Sequence, residues 1–515
     1  MGTWLKGIVL GTFLSGILVG SLVGQSAEAP GVEMYWSQTG LSDRELFKFI
    51  QGDLCQSSER YFLACVNALQ QVAVRNELIL LPGKGFQKIS LEKLSELNEK
   101  DLLKPWDETI KKQGYQQTAL NFEKLWKVLE KKVIDKSKLS MMVGMALNGF
   151  LSVFRDPHTY LIPIDYYKQI VASSNYKSSS YGFVITKIKQ NFYIRKVIPG
   201  SPSDYVGLKR GQLVSQINGW DLRGMPLNVL NDKIRGSKDQ EIQMTVQDRT
   251  GAVSHLSIRK ATRELSTVHL KFQDSQSPTA LLTIDRFSRG SCDKVRAALT
   301  EVRESAVRNL ILDLRDNPGG QMDEAGCIAG LFVGPDKRIF SVQYLNGENR
   351  HDTYVSEEDK AYKGRTVILV NRGTASASEI LAGALREYNK AILVGERTFG
   401  KGSFQEGDVW KLNHKIALFE TKGFYYLPSG FSPQQVGLSP DLSVESANSG
   451  SRESGQYWNS LRLSHKESEP LLGGLPFETC QSMDLTVNHA DDPEMIKAQQ
   501  ALSCWGVAQV SGAWR

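Results

Sequence analysis

Residues 366–388 read "TVILVNRGTASASEILAGALREY". The apolar run "TVILV" passes through a polar turn into a segment whose apolar residues recur every three or four positions. Such a run is a buried strand, and the periodic segment after it is a helix. The turn between them carries three hydroxyls, Thr374, Ser376 and Ser378. The same alternation continues on both sides. "TALLTID" (279–285), "NLILDLRD" (309–316) and "KAILVGE" (390–396) read as strands. "SCDKVRAALTEVRESA" (291–306) and "DEAGCIAGLFVG" (323–334) read as helices. Strands and helices in alternation predict an α/β layer with a largely parallel sheet over residues 263–446.

The rest of the chain differs in pattern. Residues 178–262 hold short alternating strands between Gly and Pro turns, one helix at "PLNVLNDKIRG", and a hairpin with an Arg-Thr-Gly turn. They predict one small β-rich module. Residues 30–150 are helical by spacing, as in "ACVNALQQVAV" and "LSMMVGMALNGFLSVF", and predict a bundle or cap. Residues 151–177 connect the two as a first segment of the core. The extension 447–515 is rich in Ser and Glu and gives little signal.

An apolar share of 41% and a charged share of 23% are those of a globular protein. The net charge of +6 is spread thinly. No basic run with interleaved aromatics occurs, which argues against nucleic acid as a partner. Lys6 precedes an uncharged run over residues 7–24, followed by "QSAEAPG". Residues 1–29 therefore read as an export signal or an uncleaved N-terminal membrane anchor. Either places the body outside the cytoplasm, in the periplasm or its equivalent. Export makes the six cysteines disulfide candidates. Cys480–Cys504 is the first pair expected. Cys55 and Cys65 would lie ~15 Å apart in one helix and can pair only if the chain breaks near "QSS". Cys292 and Cys327 fall in helix-like patterns and read as buried thiols. No metal-binding spacing is present, and no cofactor is implied.

Ser376 has two readings. Ser376-Ala377-Ser378-Glu379 fits a capping box, in which the serine only caps a helix. Yet a serine at a strand-to-helix turn sits at the carboxyl edge of the sheet, where α/β proteins place their sites. The helix N-terminus there favours an oxyanion. A nucleophilic serine needs a base. Lys401, between Gly400 and Gly402 after a buried strand, becomes one if burial favours its neutral form. "DLRDNPGG" (313–320) adds turn chemistry and two glycines, whose amides stand unshielded.

Together "DLRDNPGG", "GTASASEILAGAL", "AILVGERTFGKGSFQ" and "FYYLPSG…VGLSPDL" resemble the carboxyl-terminal processing, or tail-specific, proteases. The resemblance covers residues 263–446, reaches "FRDPHTYL" at 154–161, and extends to the β-rich module, which resembles a PDZ domain. It is weak before 150 and absent after 447. It implies a crotonase-like α/β serine endopeptidase core with an inserted PDZ domain. Matching positions make Ser376 the nucleophile, Lys401 the base and Gln405 its orienting partner. The amides of Ala377 and of Gly319 or Gly320 would form the oxyanion hole. The resemblance also implies that Tyr181, Gly182, Phe183, Val184 and Ile185 receive the C-terminal tail of a protein or peptide substrate as an added strand. This loop is less Gly-rich than the family's. A homo-oligomer and a tether through residues 7–24 are both compatible with the sequence.

Three rivals stand beside this reading. An inactive PDZ scaffold would bind exported tails without cutting them. A crotonase-like acyl-CoA enzyme would not meet its cofactor outside the cytoplasm. A serine hydrolase could use His158 in place of Lys401.

Overall fold

The computed structural model describes residues 9–10 and 32–510, apart from 91–92, 95–96, 133–137, 172–174, 226, 237–239, 274–277, 306, 346–350, 360, 445–451, 458 and 464–491. Except for the two-residue strand Val9–Leu10, which pairs with Gln405 and Glu406, the expected signal or anchor lies outside the described residues. No helix among them is long and apolar enough to cross a membrane.

The central sheet runs in the order Val268–Gln273, Thr279–Ile284, Asn309–Asp313, Arg365–Val370, Ala391–Gly395 and Leu442–Ser443. All its pairings are parallel except the first. Its strands are apolar on both faces because both faces are covered. Leu310, Leu312, Ile368, Val370 and Leu393 pack under the helices Ser291–Glu304, Met322–Val333 and Ala377–Glu387. Ile311, Val367, Leu369, Ile392 and Val394 face the other way, onto Ala498, Ala501 and Leu502 of the helix Pro493–Val510. This helix of the C-terminal extension is thus one layer of the core. Its apolar residues Met495, Ala498, Ala501 and Leu502 recur at helical spacing, a signal that the polar composition around them obscured.

Three loops leave the carboxyl ends of parallel strands side by side: 314–321, 371–376 and 396–402. An antiparallel sheet flanks them, formed by Ser403–Val409, Ile416–Tyr426, Arg338–Tyr344 and His351–Val355. The strand Tyr160–Pro163 also pairs with Ile416–Tyr426, which brings residues 154–161 to the core.

The β-rich module forms a sheet in the order Val253–Arg259, Glu241–Gln247, Leu213–Ile217, Asn191–Val197 and Phe183–Ile188. It enters and leaves through the ribbon of Asn175–Ser180 paired with Ala261–Ser266. The N-terminal region is a helical bundle around Glu59–Val74 and Leu139–Phe154. It also contains a hairpin, Leu78–Leu81 with Gly85–Lys88. Trp410, Ile416 and Phe419 join the bundle's apolar core, so the bundle packs on the long antiparallel strands.

Cys55 and Cys65 are bonded. A short helix ends at Cys55 and the next begins at Glu59, so the chain breaks at Gln56-Ser57-Ser58. Cys292 and Cys327 are also bonded, with Cα atoms 6.0 Å apart, and are not the thiols expected. Each lies on its own helix, and the packing of those two helices, which periodicity does not reveal, brings them together. Cys504 is disulfide-bonded, and Cys480, its expected partner, lies outside the described residues. The Cys55–Cys65 bond closes a loop with a sequence separation of 10. Replacing both cysteines by Ser should cost roughly 2–3 kcal/mol in denaturant unfolding without reductant.

Candidate active site

Ser376 closes the turn after Arg365–Val370 and opens the helix Ala377–Glu387. Its backbone has φ 58° and ψ −120°, a conformation that costs a non-glycine residue about 1–3 kcal/mol. The expected cap is only half made. Glu379 Oε2 accepts the Ser376 amide at 2.9 Å. The Glu379 amide donates to the Ser376 carbonyl at 2.7 Å, not to its hydroxyl. Ser376 Oγ is buried and has no hydrogen-bond partner among the described residues.

Glu379 gathers the site. It is fully buried and accepts four donors. Oε1 takes the Thr398 hydroxyl at 2.5 Å and the Gly400 amide at 2.9 Å. Oε2 takes the amides of Ser376 and Lys401, each at 2.9 Å. Burial pushes its carboxyl up to about 7, against these four hydrogen bonds. Four donors can all be satisfied only by the ionised group. Tyr425 Oη lies 3.1 Å from the Ser376 carbonyl and 2.8 Å from that of Lys401. One carboxylate and one phenol therefore hold both residues by their backbones.

Lys401 is enclosed, with 1% of its surface exposed. Its Nζ donates to Gln405 Oε1 at 2.7 Å and to the Ser403 carbonyl at 3.2 Å. Desolvation lowers its pKa to about 8, although Glu453, Asp156 and Glu379 pull the other way. A neutral amine has two N–H bonds, and both have acceptors here. Its lone pair is left over.

Gln405 is itself fixed. Its Nε2 donates to Thr421 Oγ1 at 3.1 Å and to Ser403 Oγ at 3.3 Å. The Thr421 hydroxyl gives its own proton to Asp156 Oδ1 at 2.8 Å, so it must accept from Gln405. Asp156 is held by the His158 amide and the Thr159 hydroxyl. This buttress explains why "RDPHT" belongs to the site. The sequence marked the motif but did not connect it to Gln405.

Gly319 and Gly320 border Ser376. A Cβ on Gly319 would lie 2.8 Å from Ser376 Cβ and 3.0 Å from the Ala377 amide nitrogen. A Cβ on Gly320, at φ 144°, would fall 2.0 Å from the Phe287 carbonyl. The Gly319 amide donates to Asn317 Oδ1 at 2.9 Å. The amides of Gly320 and Ala377 have no acceptor among the described residues, and are the two available to an anion.

The loop before Gly319 is clamped by the β-rich module. Asp316 pairs with Arg195 at 2.6 Å and with Arg210 at 2.7 Å. Burial would push the Asp316 carboxyl up, but the two arginines outweigh it and hold it well below the usual range. Nothing in the sequence joined these residues.

In the module itself, Phe183–Ile188 is an edge strand. Its outer edge is free among the described residues and lies in the same module as the helix Leu227–Gly236. Tyr181 and Ile185 are buried in the module's core, while Phe183 and Val184 are half-buried. The Gly182 carbonyl accepts from the Ile198 amide and the Ser201 hydroxyl, and φ 90° at Gly182 requires glycine. His158 contacts Glu453, 3.3 Å away, and not Ser376. Among the described residues one grouping has metal-ligand spacing, Cys292, Cys327 and Glu358. Its two sulfurs are bonded to each other.

Residues 278–444 match Peptidase family S41, and residues 169–247 match the PDZ domain. A "Probable CtpA-like serine protease" of Staphylococcus epidermidis is 27% identical over 324 residues, 62% of this chain and 64% of that protein. The protein of the same description from Staphylococcus aureus is 26% identical over 330 residues, 64% of this chain and 65% of its own length. The chain thus spans just under two thirds of these relatives. Among solved structures, a photosystem II D1 C-terminal processing protease is 22% identical, over 62% of this chain and 86% of its own, with a TM-score of 0.41. The chain thus carries a segment of peptidase family S41 over residues 278–444 and a PDZ domain over residues 169–247.

Proposed function

We propose that this protein is an exported serine endopeptidase that cleaves protein substrates selected by their C-terminal tails. Two observations carry the reading. The Lys401 amine has acceptors for two N–H bonds and a spare lone pair, and the buried Ser376 hydroxyl has no hydrogen-bond partner among the described residues. Neutral Lys401 takes the Ser376 proton as Oγ attacks the scissile carbonyl. The oxyanion that forms is held by the amides of Gly320 and Ala377, at the positive end of the helix Ala377–Glu387. Lys401 then protonates the leaving amine, and water hydrolyses the acyl-enzyme. The strain at Ser376 supports a nucleophile and not a cap.

Tail selection rests on the edge of Phe183–Ile188, free among the described residues, to which a peptide can add as a strand with its carboxylate on the Tyr181–Val184 loop. Export is supported by the N-terminal apolar run and by the disulfides, which suit an oxidising compartment.

The direct test is cleavage of an unstructured reporter with a free apolar C-terminus. Ser376→Ala and Lys401→Ala should each lose about 10³-fold or more in kcat, and amidating the reporter's C-terminus should raise KM. Tail binding without cleavage by the wild type would show a scaffold. Activity retained in Lys401→Ala would move the base to another group, His158 first. The neutral amine is the active form, so kcat/KM should rise with pH through about 8. Thr421→Val removes the hydroxyl that fixes the Gln405 amide. It should lower kcat by about 10- to 100-fold, with KM little changed.

A further inference from the structure

Glu453 lies beyond the segment shared with family S41, on the short helix Glu453–Gln456. Its side chain is fully buried. The Glu453 amide donates to the Phe399 carbonyl at 2.9 Å, two residues before Lys401. Oε1 takes Gln434 Nε2 at 2.9 Å, the Ser460 hydroxyl, and His158 Nε2 at 3.3 Å. Gln434 reaches the other way as well, its Oε1 accepting the Gly402 amide at 2.7 Å. Glu453 is thus linked to both flanks of Lys401. Oε2 is buried with no hydrogen-bond partner among the described residues. An unsatisfied carboxylate oxygen is costly, and such a cost calls for a reason other than local stability.

We propose that Glu453 is a positioning residue for Lys401, which fixes the lysine loop through Phe399 and Gln434 and sets a buried negative charge against the amine. This inference rests on the Ser/Lys reading above. Burial pushes the Glu453 carboxyl up, but His158, Ser460 and Lys401 outweigh it and hold it below its usual range. The carboxylates facing Lys401 are Glu453, Asp156 and Glu379, and His158 is the basic group that contacts Glu453. Enclosure alone would leave the lysine a weak base. The Glu453 charge restores affinity for the proton that Ser376 must give up, and stabilises the ammonium formed as the serine attacks. The segment after residue 444 therefore completes the site.

The test reads Lys401 directly. Protein carrying Ser376→Ala and 13C-labelled lysine is titrated by NMR, with Lys401 assigned by its loss in Lys401→Met. Glu453→Gln should move the Lys401 midpoint to lower pH, and Glu453→Asp should restore it. His158→Phe with Glu453→Leu replaces both partners by apolar groups, a change that buried pairs often tolerate, and should move it the same way. In the Ser376 enzyme, Glu453→Gln should shift the acid limb of kcat/KM downward. Its fraction of plateau activity at pH 7 should rise about threefold or more. Unchanged midpoints in both charge-removing variants, with near-UV circular dichroism intact, would overturn the proposal. Cleavage that survives Lys401→Met would instead sink the Ser/Lys reading itself.

Discussion

A single buried carboxylate organises this molecule. Glu379 accepts hydrogen bonds from Ser376, Thr398, Gly400 and Lys401, residues on two separate loops. The strand pairing between them ends at Val370 and Gly395, and beyond it a backbone bond, from the Phe399 amide to the Thr374 carbonyl, joins the loops. Both follow parallel strands, whose ladders stop before the site. With four donors on two oxygens, the carboxylate replaces a ladder and holds Ser376 and Lys401 relative to one another. The strain at Ser376 is tolerable because this carboxylate, Tyr425 and the Asn317 loop hold the turn from three sides.

The second constraint joins the site to the PDZ domain. Asp316 begins the loop that ends at Gly320, and its partners Arg195 and Arg210 both come from the PDZ domain. Arg195 lies on the strand that pairs with the free-edged strand Phe183–Ile188. That edge is one strand away from the ion pair that holds the loop ending at Gly320. All three side chains are nearly buried, so breaking the pair would leave an uncompensated charge and be strongly unfavourable.

Much of this was legible in sequence, for local reasons. A strand, a turn with Ser376 and an amphipathic helix announce themselves within 23 residues of one another. Buried strands before "DNPGG" and "TFGKG" place two further loops at the same sheet edge. What was not legible depends on which elements meet. Thr421 and Asp156 support Gln405 only because the strand Tyr160–Pro163 pairs with Ile416–Tyr426. Cys292 meets Cys327 because two helices cross. Arg315 is buried between Asp313 and the carboxylates of Asp492 and Glu494, which anchor the final helix. That helix went unread because the segment before it, rich in Ser and Glu, gave little signal, and what buries its residues Ala498, Ala501 and Leu502 is the far face of the central sheet.

The central claim is that Ser376 is a nucleophile whose proton goes to Lys401. Labelling with a fluorophosphonate, followed by tandem mass spectrometry of the adduct across pH, tests it without a substrate. The expected result is one adduct, on Ser376, formed at a rate that rises through about pH 8 and is lost in Lys401→Met. An adduct on Ser376 that forms equally fast in Lys401→Met, or an adduct on another residue, would contradict it.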